Sequence, residues 1–246
     1  MIIPQSTAVR ILSTDIECIF REYFSAPEAR YDSVLQISGV AVNYYGNDHA
    51  EIKQKIVFTL DTCAAIDGVK VVECETERAL LSKWRIFLLK FDPDVLTGFY
   101  SNKFDLKYLI ERAERLGLAT FPYFGRELDE KVVIKPSAGR KPAVVEDVPG
   151  RMIIDMYDYI KEQYPNLSRY TLDAVSHHFL GDRKEHMNYF EIPGLQMGDE
   201  YTRQRLAKYC LKDSMLAYEL FKKLQPLENI LDQTAVPMEC YGCEEQ

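Results

Sequence analysis

The chain has 246 residues with 30 basic and 38 acidic side chains, which gives a net charge of −8 at pH 7, and 47% of its residues are hydrophobic. At roughly 100–200 residues per domain this length allows one large domain or two small ones, and the composition is typical of a globular protein with a sizeable core. The negative charge argues against a stand-alone, tight nucleic-acid binder, because phosphate groups need a basic surface, but it leaves room for a site whose carboxylates hold metal ions.

The sequence contains no pattern for a membrane or for secretion. Its longest apolar runs are far shorter than the roughly 20 residues that span a bilayer, and its first residues lack the basic start and apolar core of a signal peptide. The six cysteines show no disulfide pattern, and a core of this size needs no disulfides. We therefore expect an intracellular protein without membrane contact.

The first half of the sequence predicts strands, followed by alternating helices and strands. β-Branched residues and tyrosines recur in the first third, which is typical of strands, and the Gly-Asn-Asp of residues 46–48 predicts a hairpin turn. Further on, apolar residues recur at helical spacing, and Asp-Pro-Asp at residues 92–94 and Gly117 predict helix ends. The predicted elements are strands at 9–17, 33–45 and 51–60, a helix at 75–91, a strand at 94–99 and a helix at about 105–116.

The second half begins with an irregular segment. Residues 121–150 hold four prolines and three glycines, which predicts a loop or an irregular hairpin. After it we predict a strand at 152–155 and helices at about 155–163, 171–180 and 199–224. Antiparallel strands followed by helix–strand alternation predict an α/β fold with one mixed β-sheet covered by helices, in a single domain.

Asp15 and Glu17 stand at the end of an otherwise apolar predicted strand. Residues two apart on a strand point to the same side of the sheet, so the two carboxylates are expected side by side, where they repel each other. Such a pair needs cations or water. A strand that reaches solvent at this point would look the same in the sequence.

Asp105 immediately precedes a run of apolar residues at helical spacing. Aspartate is a preferred N-cap, because its side chain accepts hydrogen bonds from the free N–H groups of the first helical turn. Taken alone, this residue is explained by capping.

The last predicted helix carries an acid within its apolar stripe. The stripe consists of Leu206, Cys210, Asp213, Ala217, Leu220 and Leu224. An unpaired charge at Asp213 would cost several kcal/mol, so it needs either a buried Lys or Arg or a metal ion. Tyr209 lies one turn earlier on the same face, so the helix presents a phenol and a carboxylate together.

These features combine into a set of four acids and one phenol. Hard oxygen ligands of this kind select Mg²⁺ or Mn²⁺. Two such ions about 3.5–4 Å apart can stabilise both the attacking and the leaving oxygen in phosphodiester cleavage. Each feature is weak alone, whereas the ordered set is a much stronger indication of such a metal site.

Three segments resemble the exonuclease motifs of family B DNA polymerases. They are Ser-Thr-Asp-Ile-Glu-Cys at residues 13–18, Asp-Pro-Asp-Val-Leu-Thr-Gly at 92–98 with Asn-Lys-Phe-Asp-Leu-Lys-Tyr-Leu-Ile at 102–110, and Tyr-Cys-Leu-Lys-Asp at 209–213. Segments 121–126, 150–155 and 168–181 are similar to the delta-type polymerases of eukaryotes and large DNA viruses. The resemblance covers nearly all of residues 8–238.

The resemblance implies a ribonuclease H-like fold of the DEDDy exonuclease class. It implies a 3′→5′ DNA exonuclease, a hydrolase that removes misincorporated nucleotides from a primer end and so proofreads DNA replication. We expect a single exonuclease domain over residues 1–246, with its core at about 8–230 and a hairpin-like insertion at about 131–149.

The resemblance also assigns roles to the acids and the phenol. Asp15, Glu17 and Asp213 would surround the first of two Mg²⁺ or Mn²⁺ ions. Asp15 would also bridge to the second ion, which Asp105 would support directly or through water. Tyr209 would orient the attacking water.

The second motif departs from the family at the expected strand contact. The family usually has Gly-Tyr-Asn there, and its Asn contacts the single strand. Here Tyr100 takes that place, with Asn102 two residues on, and a tyrosine could stack on a base instead. Phe104 would lie close to the terminal nucleotides. The basic residues of the insertion that we expect near the strand are Lys135, Arg140 and Lys141.

Two other interpretations stay open. One is a vestigial scaffold domain of a polymerase, which would be expected to have lost acids; the other is a free-standing DEDD-type nuclease that trims RNA or single-stranded DNA. As partners we expect a DNA primer 3′ end, preferably single-stranded, and a polymerase domain in cis or in trans, since the family continues into a polymerase. The expected location is the nucleus in a eukaryote, or a viral replication site.

Overall fold

A six-stranded mixed sheet forms the frame of the fold in the computed structural model, which describes residues 8–19, 26–46, 49–138 and 142–234. The strands are β1 (Val9–Cys18), β2 (Val34–Gly46), β3 (His49–Leu60), β4 (Lys70–Cys74), β5 (Val95–Gly98), β6 (Val133–Lys135), β7 (Val144–Asp147) and β8 (Met152–Asp155). The helices are α1 (Glu77–Phe91), α2 (Asp105–Arg115), α3 (Met156–Gln163), α4 (Leu172–Leu180), α5 (Glu191–Met197), α6 (Glu200–Leu224) and α7 (Pro226–Thr234).

β1 lies inside the sheet, whose strand order is β4-β3-β2-β1-β5-β8. It pairs antiparallel with β2, with Asp15 opposite Ser38, and parallel with β5, with Ser13 opposite Thr97. β2 and β3 are antiparallel, whereas β3–β4 and β5–β8 are parallel. The mixed sheet predicted from the sequence is confirmed.

Helices cover both faces of the sheet. On one face α1 and α2 pack on the sheet through residues such as Leu12, Trp84 and Leu109. On the other face α3, α4 and α6 pack through residues such as Ile11 and Phe221. Leu12 and Ile11 are neighbours in β1 and point to opposite faces, as the two-residue period of a strand requires. β1 is therefore held between two cores.

Most predicted elements are present, and three were missed. β4 is a five-residue strand with only one buried residue, so the alternation of apolar and polar residues in it is too short to predict a strand. α5 contains Pro193 and Gly194, which argue against a helix, and α7 was not recognised beyond the end of α6. The predicted turn at 46–48 lies largely outside the described residues.

The Pro- and Gly-rich segment contains a separate antiparallel pair, β6 with β7. Residues 139–141, between the two strands, lie outside the described part of the chain. The backbone N–H of Val145 in β7 donates to the carbonyl of Asn102 at 2.8 Å. This pair is thereby fastened to the segment that joins β5 to α2. Among the described residues, no helix is both long and apolar enough to cross a membrane.

Candidate active site

Four carboxylates from three elements line one cavity of about 170 Å³. Asp15 and Glu17 lie on β1, Asp105 begins α2 and Asp213 lies in the middle of α6. Since β1, β5 and β8 run parallel, the loops that follow them are brought to one edge of the sheet, where such folds commonly place their sites. The structure therefore brings together the four acids that the sequence singled out.

Small hydroxyl residues fix α6 against the sheet at this point. The Ser38 hydroxyl donates to the carbonyl of Cys210, and the Ser13 hydroxyl donates to the carbonyl of Ser214, both at 2.9 Å. These side chains are fully buried, so the bonds form in a low-dielectric environment where they are strong. The two hydrogen bonds fix the position of α6 along its axis and its rotation about that axis, and thereby the position of Asp213. The apolar stripe predicted for this helix is buried as expected.

Asp105 does not act as the helix cap that its sequence context suggested. α2 begins at Asp105, and its N-cap is Phe104, whose side chain cannot accept a hydrogen bond. Instead, Oδ1 of Asp105 accepts the backbone N–H of Ile16 at 3.0 Å. The pairing of β5 with β1 ends at Ser13. Beyond that point the carboxylate of Asp105, in place of a neighbouring strand, accepts the backbone N–H of β1. The capping interpretation is wrong, because the N-cap position belongs to Phe104 and no side chain in the described part of the chain caps α2.

The segment between β5 and α2 is held by a buried acid that sequence analysis missed. Asp155, at the end of β8, accepts the backbone N–H groups of Tyr100 and Asn102, both at 3.0 Å. At Gly98 this segment passes close to the backbone of β1, and only glycine leaves room for it. A Cβ at this position would lie 2.8 Å from the carbonyl oxygen of Thr14. The only sequence signal for Asp155 was its place at the end of a predicted strand.

Lys184 is the partner that Asp213 required. Its ammonium forms a salt bridge with Oδ2 of Asp213 and lies 4.7 Å from the ring centroid of Tyr209. The sequence left a buried Lys or Arg and a metal ion as alternatives, and it gave no pattern that singles out Lys184, which lies in the loop between α4 and α5. Tyr209 is 1% exposed, so its ring is buried beside this ion pair, but it is not among the residues that line the cavity.

Burial and neighbouring negative charges raise the pKa values of the carboxyl groups at this site. Burial raises the pKa of Glu17 to about 8 and that of Asp105 to about 7, and the nearby charge of Asp213 adds to both. Burial, followed by the charges of Asp105 and Asp213, also raises the pKa of Asp15. Burial alone would lower the pKa of Lys184, but the carboxylates of Asp213 and Asp15 raise it. Lys184 therefore stays charged and offsets part of the repulsion.

The donor set fits hard divalent cations. Carboxylate oxygens are the ligands that Mg²⁺ and Mn²⁺ prefer, and Oδ1 of Asp213 is buried with no hydrogen-bond partner in the described part of the chain. Ligand atoms of Asp15, Glu17 and Cys210 lie within 4.8 Å of one another. Burial raises the pKa of the Cys210 thiol, which keeps it protonated and a poor ligand. The residues that could hold a metal are Asp15, Glu17, Asp105 and Asp213.

The predicted DNA contacts lie in different places. Tyr100 and Phe104 line the cavity with the acids. The side chain of Asn102 is turned to Asp158, to which its amide donates at 3.3 Å. Lys135 lies on β6 and forms an exposed ion pair with Glu146 at 2.7 Å. Arg140 and Lys141 lie outside the described residues.

Comparisons with known proteins agree with the geometry. The family model described as "DNA polymerase family B, exonuclease domain" matches residues 3–175. The DNA polymerase delta catalytic subunit of Candida albicans is 40% identical over 234 residues, which are 93% of this chain and 22% of that protein.

Similar relatives come from plants and insects. The DNA polymerase delta catalytic subunit of Arabidopsis thaliana is 41% identical over 92% of this chain and 21% of its own length. That of Drosophila melanogaster is 40% identical over 94% of this chain and 21% of its own length. The chain thus spans about a fifth of the length of the curated relatives it matches.

Proposed function

Because this chain belongs to the family of exonuclease domains of family B DNA polymerases, we propose that it removes nucleotides from the 3′ end of a DNA primer by two-metal-ion hydrolysis. The membership confirms the family and the exonuclease class predicted from the three motifs. The proposed role is proofreading in DNA replication, with single-stranded ends preferred.

The observation that carries the proposal is the convergence of four carboxylates on one cavity beside a buried tyrosine and a lysine. Buried like charges at such density destabilise a fold. They are retained where cations neutralise them, which a vestigial scaffold would not require. The strand order and directions of the sheet also support a ribonuclease H-like fold for a single exonuclease domain with a core at about 8–230 and an insertion at about 131–149.

Each residue has a proposed part in holding the ions and the water. Asp15, Glu17 and Asp213 would hold one Mg²⁺ or Mn²⁺ ion, and Asp15 would also reach the second, which Asp105 would support directly or through water. When bound, the ions supply positive charge to the attacking and leaving oxygens. The hydroxyl of Tyr209 is neutral near pH 7, because burial raises its pKa, and it orients the water that attacks phosphorus.

In the proposed reaction the bond between phosphorus and the 3′ oxygen of the preceding nucleotide breaks. Water adds its oxygen to phosphorus, and the 3′ oxygen leaves and takes up a proton, so the products are a 5′-mononucleotide and a strand one nucleotide shorter. Lys184 forms a salt bridge with Asp213. Its ammonium is thereby held beside the four carboxylates, where it would be able to pair with phosphate oxygens of the strand.

The proposed partners follow from the relatives. These are DNA polymerase delta catalytic subunits, so we propose that the chain works with a polymerase domain, in cis or in trans, at the site of DNA replication, in the nucleus or at a viral replication site. With a net charge of −8, we expect the isolated chain to bind single-stranded DNA weakly, since phosphate binding usually needs a basic surface.

A substrate comparison tests the proposed function. Equal concentrations of single-stranded DNA and RNA of one sequence are incubated with the purified chain and Mg²⁺, with the Asp15→Ala/Glu17→Ala variant as the matched control. We expect release of 5′-mononucleotides from DNA and none with the control. Faster trimming of RNA would favour the free-standing RNA nuclease, and no digestion of either strand by the wild type would contradict an active enzyme.

A further inference from the structure

Tyr100 has a backbone conformation that its side chain does not favour. Its φ angle is +66°, in the left-handed region that asparagine and glycine adopt at lower cost than an aromatic residue. The conformation is enforced by Asp155, which accepts the Tyr100 N–H at 3.0 Å. A residue kept in a strained conformation beside a catalytic cavity suggests that its side chain is used there.

The ring of Tyr100 is already positioned at the cavity. It is one of the residues that line the cavity together with Asp15 and Asp105, and the residue is 37% exposed. Its ring meets that of Tyr157 edge-on, with centroids 5.0 Å apart and an interplanar angle of 87°. A partly exposed aromatic ring thus lines a site built from charges.

Lys103 ties the two rings together. Its ammonium lies 5.4 Å from the ring centroid of Tyr100 and 5.2 Å from that of Tyr157. It also forms a salt bridge with Asp158, in the same helix as Tyr157. Cation–π contacts at these distances stabilise the arrangement of the rings. The side chain of Tyr100 is therefore already held in place, so it loses little conformational entropy when a planar ligand packs on its ring.

The neighbouring amide does not replace this contact. Asn102 donates its side-chain N–H to Asp158 at 3.3 Å, and its backbone carbonyl accepts the N–H of Val145. The N–H group of its amide is thus engaged at α3, and the amide oxygen is buried. The exposed group that this segment offers to a strand in the cavity is an aromatic ring.

We propose that Tyr100, supported by Tyr157 and Lys103, is a stacking platform for a base of the single-stranded 3′ end. The platform contacts the strand through the face of a base, so tight binding requires a base at one defined position. Purines should bind there more tightly than pyrimidines, because their larger rings overlap more of the tyrosine ring. This inference rests on the proposed exonuclease function and adds to it the way in which the strand is positioned.

Abasic scanning tests the platform. Single-stranded DNA substrates carry one tetrahydrofuran abasic residue at each of the four 3′-terminal positions in turn, and the rate of the first cleavage is measured under single-turnover conditions. We expect one position at which loss of the base slows the wild type roughly 5- to 150-fold, the range for one base–aromatic stack. Tyr100→Phe should keep this dependence, and Tyr100→Asn should lose it.

The two variants also separate stacking from folding. Tyr100→Asn relieves the left-handed conformation, so its resistance to urea should equal or exceed that of the wild type even though its base dependence is lost. Tyr201→Asn is the matched control, because Tyr201 is 65% exposed at the start of α6 and should leave both quantities unchanged. Equal base dependence in Tyr100→Asn and the wild type would overturn the proposal.

A binding measurement keeps this test independent of catalysis. A strand with 2-aminopurine at the sensitive position, or at each of the four positions, is titrated with the chain in Ca²⁺, and its fluorescence is expected to fall with the wild type and with Tyr100→Phe but not with Tyr100→Asn. If the wild type digests no strand, the proposed function fails, and the fluorescence alone decides on stacking. Equal quenching by wild type and Tyr100→Asn would overturn the platform while leaving the exonuclease untouched.

Discussion

The proposed metal ligands Asp15 and Glu17 are expected to lower the stability of the fold when no cation is bound. Burial raises the pKa of both carboxyls, and neighbouring acids add to the shift, so each ionised form costs free energy when no cation is bound. We expect Asp15→Ala/Glu17→Ala to unfold at a higher urea concentration than wild type in EDTA at pH 8. Mn²⁺ should stabilise only the wild type. A double variant that Mn²⁺ stabilises as strongly would contradict the ligand assignment.

The stability of the metal-free protein should depend on pH through Glu17. Burial raises its pKa from 4.5 unfolded to about 8 folded, so between these values the folded state binds more protons and its stability falls as the pH rises. Glu17→Gln removes this cost. Its gain in unfolding free energy over wild type should be larger at pH 8 than at pH 5, by on the order of 2–4 kcal/mol. Urea midpoints in EDTA measure the gain, and an equal gain at both pH values would refute the expectation.

Tyr209 and Asp213 share a helix face but should fail differently. Asp213→Ala removes a proposed ligand and leaves the ammonium of Lys184 without its carboxylate, so Mn²⁺ affinity, rate and stability should all fall. Tyr209→Phe keeps the buried ring and removes only the hydroxyl. Its Mn²⁺ affinity should barely change, while its rate falls roughly 10–10³-fold. Calorimetric Mn²⁺ titration beside single-turnover digestion separates the two; equal losses of metal binding would exclude the water-orienting role.

At the scale of the elements, a buried ion pair joins helices α1 and α2. Arg112 of α2 donates to both carboxylate oxygens of Glu77 in α1 at 2.7 Å, and both side chains are about one-tenth exposed. Arg112→Ala leaves a buried carboxylate unpaired and should cost about 3–5 kcal/mol of unfolding free energy. Glu111→Ala, which breaks the more exposed pair with Lys107, is the control and should cost at most about 0.5 kcal/mol. Similar urea midpoints for the two variants would contradict this.

Elements with a strong period were predictable, and those fixed by distant contacts were not. The apolar stripe of α6 located Asp213 on a buried face, because a period of 3.6 residues leaves little choice for that position. The start of α2 was interpreted from local chemistry, which favours an Asp cap, whereas the backbone of β1 supplies the actual partner. A contact between residues 89 apart along the chain leaves no local pattern to read.

At the scale of the whole molecule, the order of strands explains how acids far apart in sequence come to line one cavity. β1, β5 and β8 are parallel neighbours, so motifs that follow strands are brought to one edge whatever their separation in the chain. Neither the salt bridge of Lys184 nor the left-handed backbone conformation of Tyr100 was predicted, because both residues lie in loops, where tertiary contacts decide the geometry.

The most direct test of the central claim is the polarity and metal dependence of digestion. A single-stranded DNA labelled at its 5′ end is incubated with the wild-type chain in Mn²⁺, and the lengths of the products are followed over time. We predict a ladder that shortens one nucleotide at a time from the 3′ end, that stops in EDTA and that is absent with Asp15→Ala/Glu17→Ala. A wild-type ladder that persists in EDTA, or immediate release of the labelled 5′ nucleotide, would contradict a 3′→5′ exonuclease built on these four carboxylates.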